Sequence, residues 1–145
     1  MIAEVGKMGL QGLTVGMTCE DQELVTPEIS AEHVGSGALR VYATPAMALF
    51  IERVCRSMVD PLLPETQVTV GVHLDLHHRA PTPVGDRVRL KARIIALEGQ
   101  SISFETEIRD SHEVVGHALH KRVVIDVDRF LKRVREKADQ LEDEA

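Results

Sequence analysis

Tryptophan is absent from this chain of 145 residues, tyrosine occurs once and phenylalanine three times. The core must therefore be built from Val, Leu, Ile, Met and Ala. A chain so poor in aromatics also lacks the stacking platforms that hold single-stranded nucleic acid. Cationic clusters are missing as well. The formal net charge is -6, so neither a phosphate backbone nor an anionic membrane surface meets a general attraction. A small anionic ligand is still allowed, because a few local cations suffice. Cysteine is scarce: Cys19 and Cys55 lie too far apart in sequence to read as a disulfide framework or a metal-ligand set. Cys55 falls in an apolar helical pattern and reads as a core residue. No run approaches the roughly 18 apolar residues of a membrane span. The opening Met-Ile-Ala-Glu-Val-Gly-Lys lacks the charged and then apolar regions of a secretory leader. The expected location is the cytoplasm.

The residues that are present describe an ordinary globular domain, 43% hydrophobic and 28% charged. Neither repeats nor low-complexity tracts divide it, so residues 1–145 are expected to form one domain, with poorly ordered ends at 1–12 and 140–145. Residues 13 to 28 read as extended up to Thr26-Pro27, and residues 30 to 40 read as a loop around Gly35-Ser36-Gly37. Thr44-Pro45 signals a helix start, with Thr as N-cap and Pro at the first helical position. From Pro45 to Val59, Met47, Phe50, Ile51, Val54 and Met58 recur at spacings of three and four. Ala48, Cys55 and Val59 widen that stripe, which predicts a helix buried over most of its girth. Asp60-Pro61 and Pro64 end it.

Strands follow. Residues 68 to 78 alternate, with Val70, Val72, Leu74 and Leu76 on one face and Thr69, His73 and Asp75 on the other. Residues 86 to 95 and 101 to 109 alternate in the same way, and Glu98-Gly99-Gln100 joins them as a hairpin. Their outer faces are cationic and anionic respectively, which suits cross-strand pairing. A last strand spans 114 to 125, and Asp126 can cap a final helix in which Val127, Phe130, Leu131, Val134, Ala138 and Leu141 recur. A long buried helix followed by an antiparallel meander predicts an α+β hotdog fold. In it the sheet curls around the central helix, and an additional helix stands at the C-terminus. A curled sheet leaves open edges, which favours a homodimer or higher homo-oligomer.

Three features could carry chemistry. The helix start at Thr44 offers backbone N–H groups and a positive dipole end suited to an oxyanion, although Thr44 could simply cap. Glu52 lies two turns further on, at the border of the apolar stripe. It could be an exposed partner of Arg56, or a base or nucleophile toward a carbonyl. By strand parity His78 shares the face of Leu74 and Leu76, toward the helix, either as a core residue or as a proton carrier. His73, Asp75 and His77 share the opposite face, which an exposed polar strand explains as well as a metal site does. No metal is expected.

The stretch Val41-Tyr42-Ala43-Thr44-Pro45-Ala46-Met47, with Glu52 beyond it, resembles the helix start of the fluoroacetyl-coenzyme A thioesterase family of hotdog proteins. His78, then Ala80-Pro81-Thr82-Pro83-Val84-Gly85, then His120-Lys121-Arg122 follow in the same order, and the likeness runs from about Leu13 to Arg135. The resemblance implies an acyl-coenzyme A hydrolase with Thr44, Glu52 and His78 as its catalytic set. It further implies that Gly71 supports the acyl site and that Arg122 is a contact residue there, and no cofactor is expected beyond the coenzyme A of the substrate. It places the site between subunits. Gly71 and His78 differ in strand parity, so either a bulge lies between them or one assignment fails. The family's aromatic lid before the helix has no counterpart here, where that loop holds His33, Val34 and Leu39. A short- or medium-chain acyl-coenzyme A, or an acyl group on a carrier protein, is therefore the expected substrate. A non-catalytic acyl-coenzyme A binding module and an enoyl-coenzyme A hydratase or dehydratase stay open as alternatives.

Overall fold

The computed structural model describes residues 10 and 12–144. Apart from Leu10 and Gly12, the loose N-terminal stretch expected over residues 1–12 lies outside the described residues. In chain order the elements are β1 (Thr18–Leu24), α1 (Ala31–Val34), α2 (Thr44–Val59), β2 (Gln67–His78), β3 (Arg87–Glu98), β4 (Ser101–Arg109), β5 (Val114–Asp126) and α3 (Val127–Glu144). Short 3-10 turns cover Pro27–Ile29 and Asp60–Leu62.

All strand pairs are antiparallel, in the order β1-β3-β4-β5-β2. This is the expected α+β arrangement, but not a simple meander. β2 does not neighbour β3; the Pro81 and Pro83 segment leads away from it, and β2 lies beyond β5 at the far edge. The loop expected over 30 to 40 also contains structure. Ser30 Oγ accepts the His33 N–H and starts α1, and Gly35 ends it at φ 83, a left-handed angle that suits glycine.

The core lies between α2 and one face of the sheet. Met47, Phe50, Ile51, Val54, Cys55 and Val59 of α2 are buried, as the helical spacing predicts. They meet Val88, Leu90, Ala92 and Ile94 of β3, and Ile102, Phe104 and Ile108 of β4. The outer faces of these strands pair as expected, with Lys91 opposite Glu107 and Arg93 Nε donating to Glu105 at 3.0 Å. α3 starts where Asp126 accepts the Arg129 N–H at 3.0 Å, and its apolar stripe stays exposed at Phe130, Leu131, Val134 and Leu141.

β5 passes so close to α2 that only glycine fits at one position. A Cβ on Gly116 would stand 2.6 Å from Met47 Sδ, 3.0 Å from Met47 Cε and 3.3 Å from the His77 carbonyl oxygen. Met47 is fully buried and cannot swing out, so Gly116→Ala is expected to destabilise the fold by about 1–3 kcal/mol, the usual cost of overpacking. Urea denaturation measures this, and an unchanged midpoint would refute it.

Candidate active site

Helix α2 starts one residue earlier than the sequence suggests. Ala43 is the N-cap, Thr44 is the first helical residue, and no side chain caps the end. Thr44 therefore does not cap the helix. Its hydroxyl lies 2.7 Å from Nδ1 of His78, the last residue of β2. The other ring nitrogen of His78, Nε2, is buried and has no hydrogen-bond partner among the described residues. Burial holds the His78 ring below the ordinary histidine pKa, against a smaller upward pull from the Ala80 backbone. It is thus a neutral imidazole at pH 7. Tyr42 stands edge-on to it at 6.3 Å and is itself fixed by donating to Glu23 at 2.6 Å. A cleft of about 300 Å³ opens beside this pair, lined by Ser36, Val41, Tyr42, Thr44, His78 and Arg79.

Glu52 belongs to a second cluster. The strand parity expected for residues 68 to 78 fails in the first half of β2, because a bulge shifts the register between Gly71 and His73. Before the bulge Thr69 and Gly71 face the helix; after it Leu74, Leu76 and His78 do. Val72, expected inside, is 54% exposed, and Thr69, expected outside, is 4% exposed. The bulge is what allows Gly71 and His78 to line one face.

Gly71 is paired with Arg122 across the ladder. The Arg122 guanidinium is buried, only 5% of the residue being exposed, and is held on several sides. Nε donates to Thr69 Oγ1 at 2.7 Å and Nη2 to the Thr69 carbonyl at 3.1 Å. Nη1 lies 3.2 Å from His120 Nε2. His120 Nδ1 in turn donates to the His73 carbonyl at 2.8 Å, so its Nε2 is the acceptor toward Arg122. Burial lowers the His120 pKa, which keeps that acceptor available. Glu52 Oε1 stands 3.7 Å from Arg122 Nη1, and its side chain is 47% exposed. The alternative partner proposed from spacing, Arg56, bonds Asp60 instead.

The five candidate residues thus form two groups in one chain: Thr44 with His78, and Glu52 with Gly71 and Arg122. Thr69 and His120 also belong to the second group, and the sequence pattern hides them. Thr69 sits on the wrong parity until the bulge is known, and His120, which stands with Lys121 and Arg122 in the family resemblance, carries no role of its own there. Elsewhere, a larger cleft of about 480 Å³ lies on the outer sheet face, between Lys91, Arg93, Glu105, Glu107 and His117. It contains none of these groups. His77 contacts Asp75 at 3.3 Å and stacks on His117, and among the described residues no three His, Cys, Asp or Glu side chains gather as metal ligands.

A family model described as fluoroacetyl-CoA-specific thioesterase matches residues 25–128. The chain belongs to this family. The fluoroacetyl-CoA thioesterase of Streptantibioticus cattleyicolor is 30% identical over 97 residues, which cover 67% of this chain and 70% of that protein. Among solved structures, a mutant of the fluoroacetyl-CoA-specific thioesterase in complex with fluoroacetate and CoA superposes with a TM-score of 0.77 at 26% identity, over 81% of this chain and 99% of that one. A hot-dog-like protein from Thermanaerovibrio acidaminovorans superposes with a TM-score of 0.83 at 25% identity, over 92% of this chain and 96% of that one. The chain is therefore a hotdog-fold thioester hydrolase, and the described residues 25–128 of the family match contain both clusters.

Proposed function

We propose that this chain hydrolyses short- or medium-chain acyl-CoA thioesters as a cytoplasmic homodimer, with Glu52, His78 and Thr44 as its catalytic residues. The observation that carries this reading is the split between the two clusters. Thr44 and Glu52 are eight residues apart on one helix, which is about 12 Å at 1.5 Å per residue. One thioester carbonyl cannot meet both within a single chain. β2 supplies a way out. It is a 12-residue strand at the edge of the sheet, whereas the other edge, β1, is short and carries Glu20, Asp21 and Glu23. Charged, short edges resist pairing and long ones invite it. Two β2 strands joined antiparallel about a two-fold axis set the Gly71 end of one copy against the His78 end of the other. Glu52 of one subunit then meets Thr44 and His78 of its partner.

The chemistry follows from the groups available. Glu52 either takes a proton from a water that attacks the thioester carbonyl, or attacks that carbonyl itself to form a mixed anhydride that a water then hydrolyses, releasing the acid and the Glu52 carboxylate. The carbonyl oxygen becomes an oxyanion near the positive N-terminal end of α2. The C–S bond then breaks, and the leaving thiolate takes up a proton that comes from the water consumed and is relayed through His78, whose ring starts and ends neutral. Thr44 orients that ring through the 2.7 Å contact. Gly71 and Arg122 border the acyl group. No step calls for a cofactor beyond the coenzyme A of the substrate.

Release of free thiol from a panel of acyl-CoA esters of increasing chain length, run beside one acyl-carrier-protein thioester, tests the proposal. Turnover confined to short and medium acyl-CoA supports it, turnover of the carrier-protein ester alone moves the substrate class, and a catalytically active monomer by light scattering removes the shared site. The depressed His78 pKa adds a further expectation. If the neutral ring is the working form, the acid limb of kcat/KM is centred below pH 6.5, the ordinary histidine value. An acid limb centred above pH 6.5 would contradict this.

A further inference from the structure

We propose that Thr69 is a positioning residue for the hydrolysis, one that keeps Arg122 from capturing Glu52. This inference rests on the reading of Glu52 as the working carboxylate. An arginine beside a carboxylate ordinarily closes into a two-pronged pair with N–O distances near 2.8 Å. Here the two groups are adjacent and yet stand 3.7 Å apart. The cause lies in where the guanidinium donors are already committed. Thr69 Oγ1 takes Nε and the Thr69 carbonyl takes Nη2, so the edge of the fork that would grip a carboxylate is held against β2. His120 Nε2 takes one of the two Nη1 protons. Glu52 is left with a single loose contact.

Thr69 can do this because its own proton is used elsewhere. The hydroxyl donates to Asp60 Oδ1 at 2.6 Å, and the Thr69 N–H donates to the same oxygen at 3.1 Å. With one proton committed, the oxygen presents a lone pair to Arg122 and nothing else. Asp60 comes from the turn that ends α2, and its other oxygen accepts from Arg56 Nε at 3.0 Å. A relay therefore runs from Arg56 through Asp60 and Thr69 to Arg122. It anchors a desolvated cation without using the carboxylate that stands beside it. The outcome is a Glu52 that stands beside a cation without being gripped by it, so that its lone pairs remain free for a carbonyl or a water.

The test is steady-state hydrolysis of the best acyl-CoA ester by Thr69→Val, Thr69→Ser and Glu52→Ala, with melting temperature as a folding control. Valine keeps the shape of threonine and removes the acceptor. The guanidinium should turn toward Glu52, lowering kcat roughly 10- to 100-fold with KM within about threefold, as misplacement of a reacting group does. Serine keeps the hydroxyl and should restore kcat to near wild type. Wild-type kcat in Thr69→Val beside an inactive Glu52→Ala overturns the proposal and leaves the site reading intact. So does a loss that serine fails to restore, since that is a packing effect. Wild-type kcat in Glu52→Ala overturns the site reading itself, and this proposal with it. If Thr69→Val does not fold, Asp60→Ala, which removes the acceptor of the Thr69 hydroxyl, probes the same relay from outside the acyl site: a kcat loss of roughly three- to tenfold supports it, and an unchanged kcat overturns it.

Discussion

Glu52→Ala lowers kcat for acyl-CoA hydrolysis roughly 10²- to 10⁴-fold, the range a positioned acid–base group supplies, and leaves the fold standing. Both halves of that expectation come from the same geometry. The carboxylate is half exposed, and its contact with Arg122 is too long for a hydrogen bond, so its removal deletes little that holds the domain together. Arg122 keeps Thr69 and His120, so the buried cation is not orphaned. Thiol release followed against time, with thermal melting in parallel, makes the measurement. The result also separates the competing functions. A binding module would show no thiol release in the wild type and unaltered acyl-CoA affinity in the variant. A hydratase would bleach the absorbance of an enoyl-CoA without freeing thiol. Thiol release unaffected by the substitution would keep the hydrolase and remove Glu52 from its site.

Much of this architecture was legible in the sequence because burial writes itself as period. The stripe from Met47 to Val59 fits one helix, and β3 up to Ile94 and β4 alternate at Val88, Leu90, Ala92, Ile94, Ile102, Phe104 and Ile108, the alternation of β3 ending at an irregularity between Ile94 and Ala96. β2 was legible as a strand and misread as a surface. Val70, Val72, Leu74 and Leu76 all look inward by alternation, and an extra residue inside an apolar run leaves no mark on composition. Only the disagreement in parity between Gly71 and His78 pointed to the bulge. Strand order is similarly silent, since pairing of β2 with β5 depends on side chains far apart in the chain. The pairing of Thr44 with His78 hides for the same reason. Thr44 satisfies every local rule for a cap, and only the tertiary approach of β2 redirects its hydroxyl.

Gly71→Ala separates the site from the scaffold, and the contrast with Gly116 shows why. Both glycines leave room for something that a Cβ would displace. At Gly116 that something is buried Met47 and a backbone carbonyl, which cannot leave, so the strain falls on the fold. At Gly71 a Cβ would stand 2.8 Å from Glu52 Oε1, 3.2 Å from His120 Cε1 and 3.3 Å from Arg122 Nη1. His120 and Arg122 are each held by hydrogen bonds, whereas the carboxylate is the free end of a flexible, half-exposed chain. Glu52 therefore yields first. The φ of Gly71 is not in the left-handed region, so alanine adds no backbone strain there. Gly71→Ala is expected to cost about 1 kcal/mol in stability, the low end of the overpacking range, because Glu52 moves aside and only the 3.2 and 3.3 Å approaches to His120 and Arg122 remain. Its kcat should fall roughly 10- to 100-fold, because a displacement of about 1 Å at a reacting group costs that much. Chemical denaturation and thiol release on the same preparation give the two numbers. A variant that melts early with normal kcat per folded molecule would make Gly71 a structural residue like Gly116. A stable variant with wild-type kcat would mean that Glu52 works from a position other than the one it holds over Gly71.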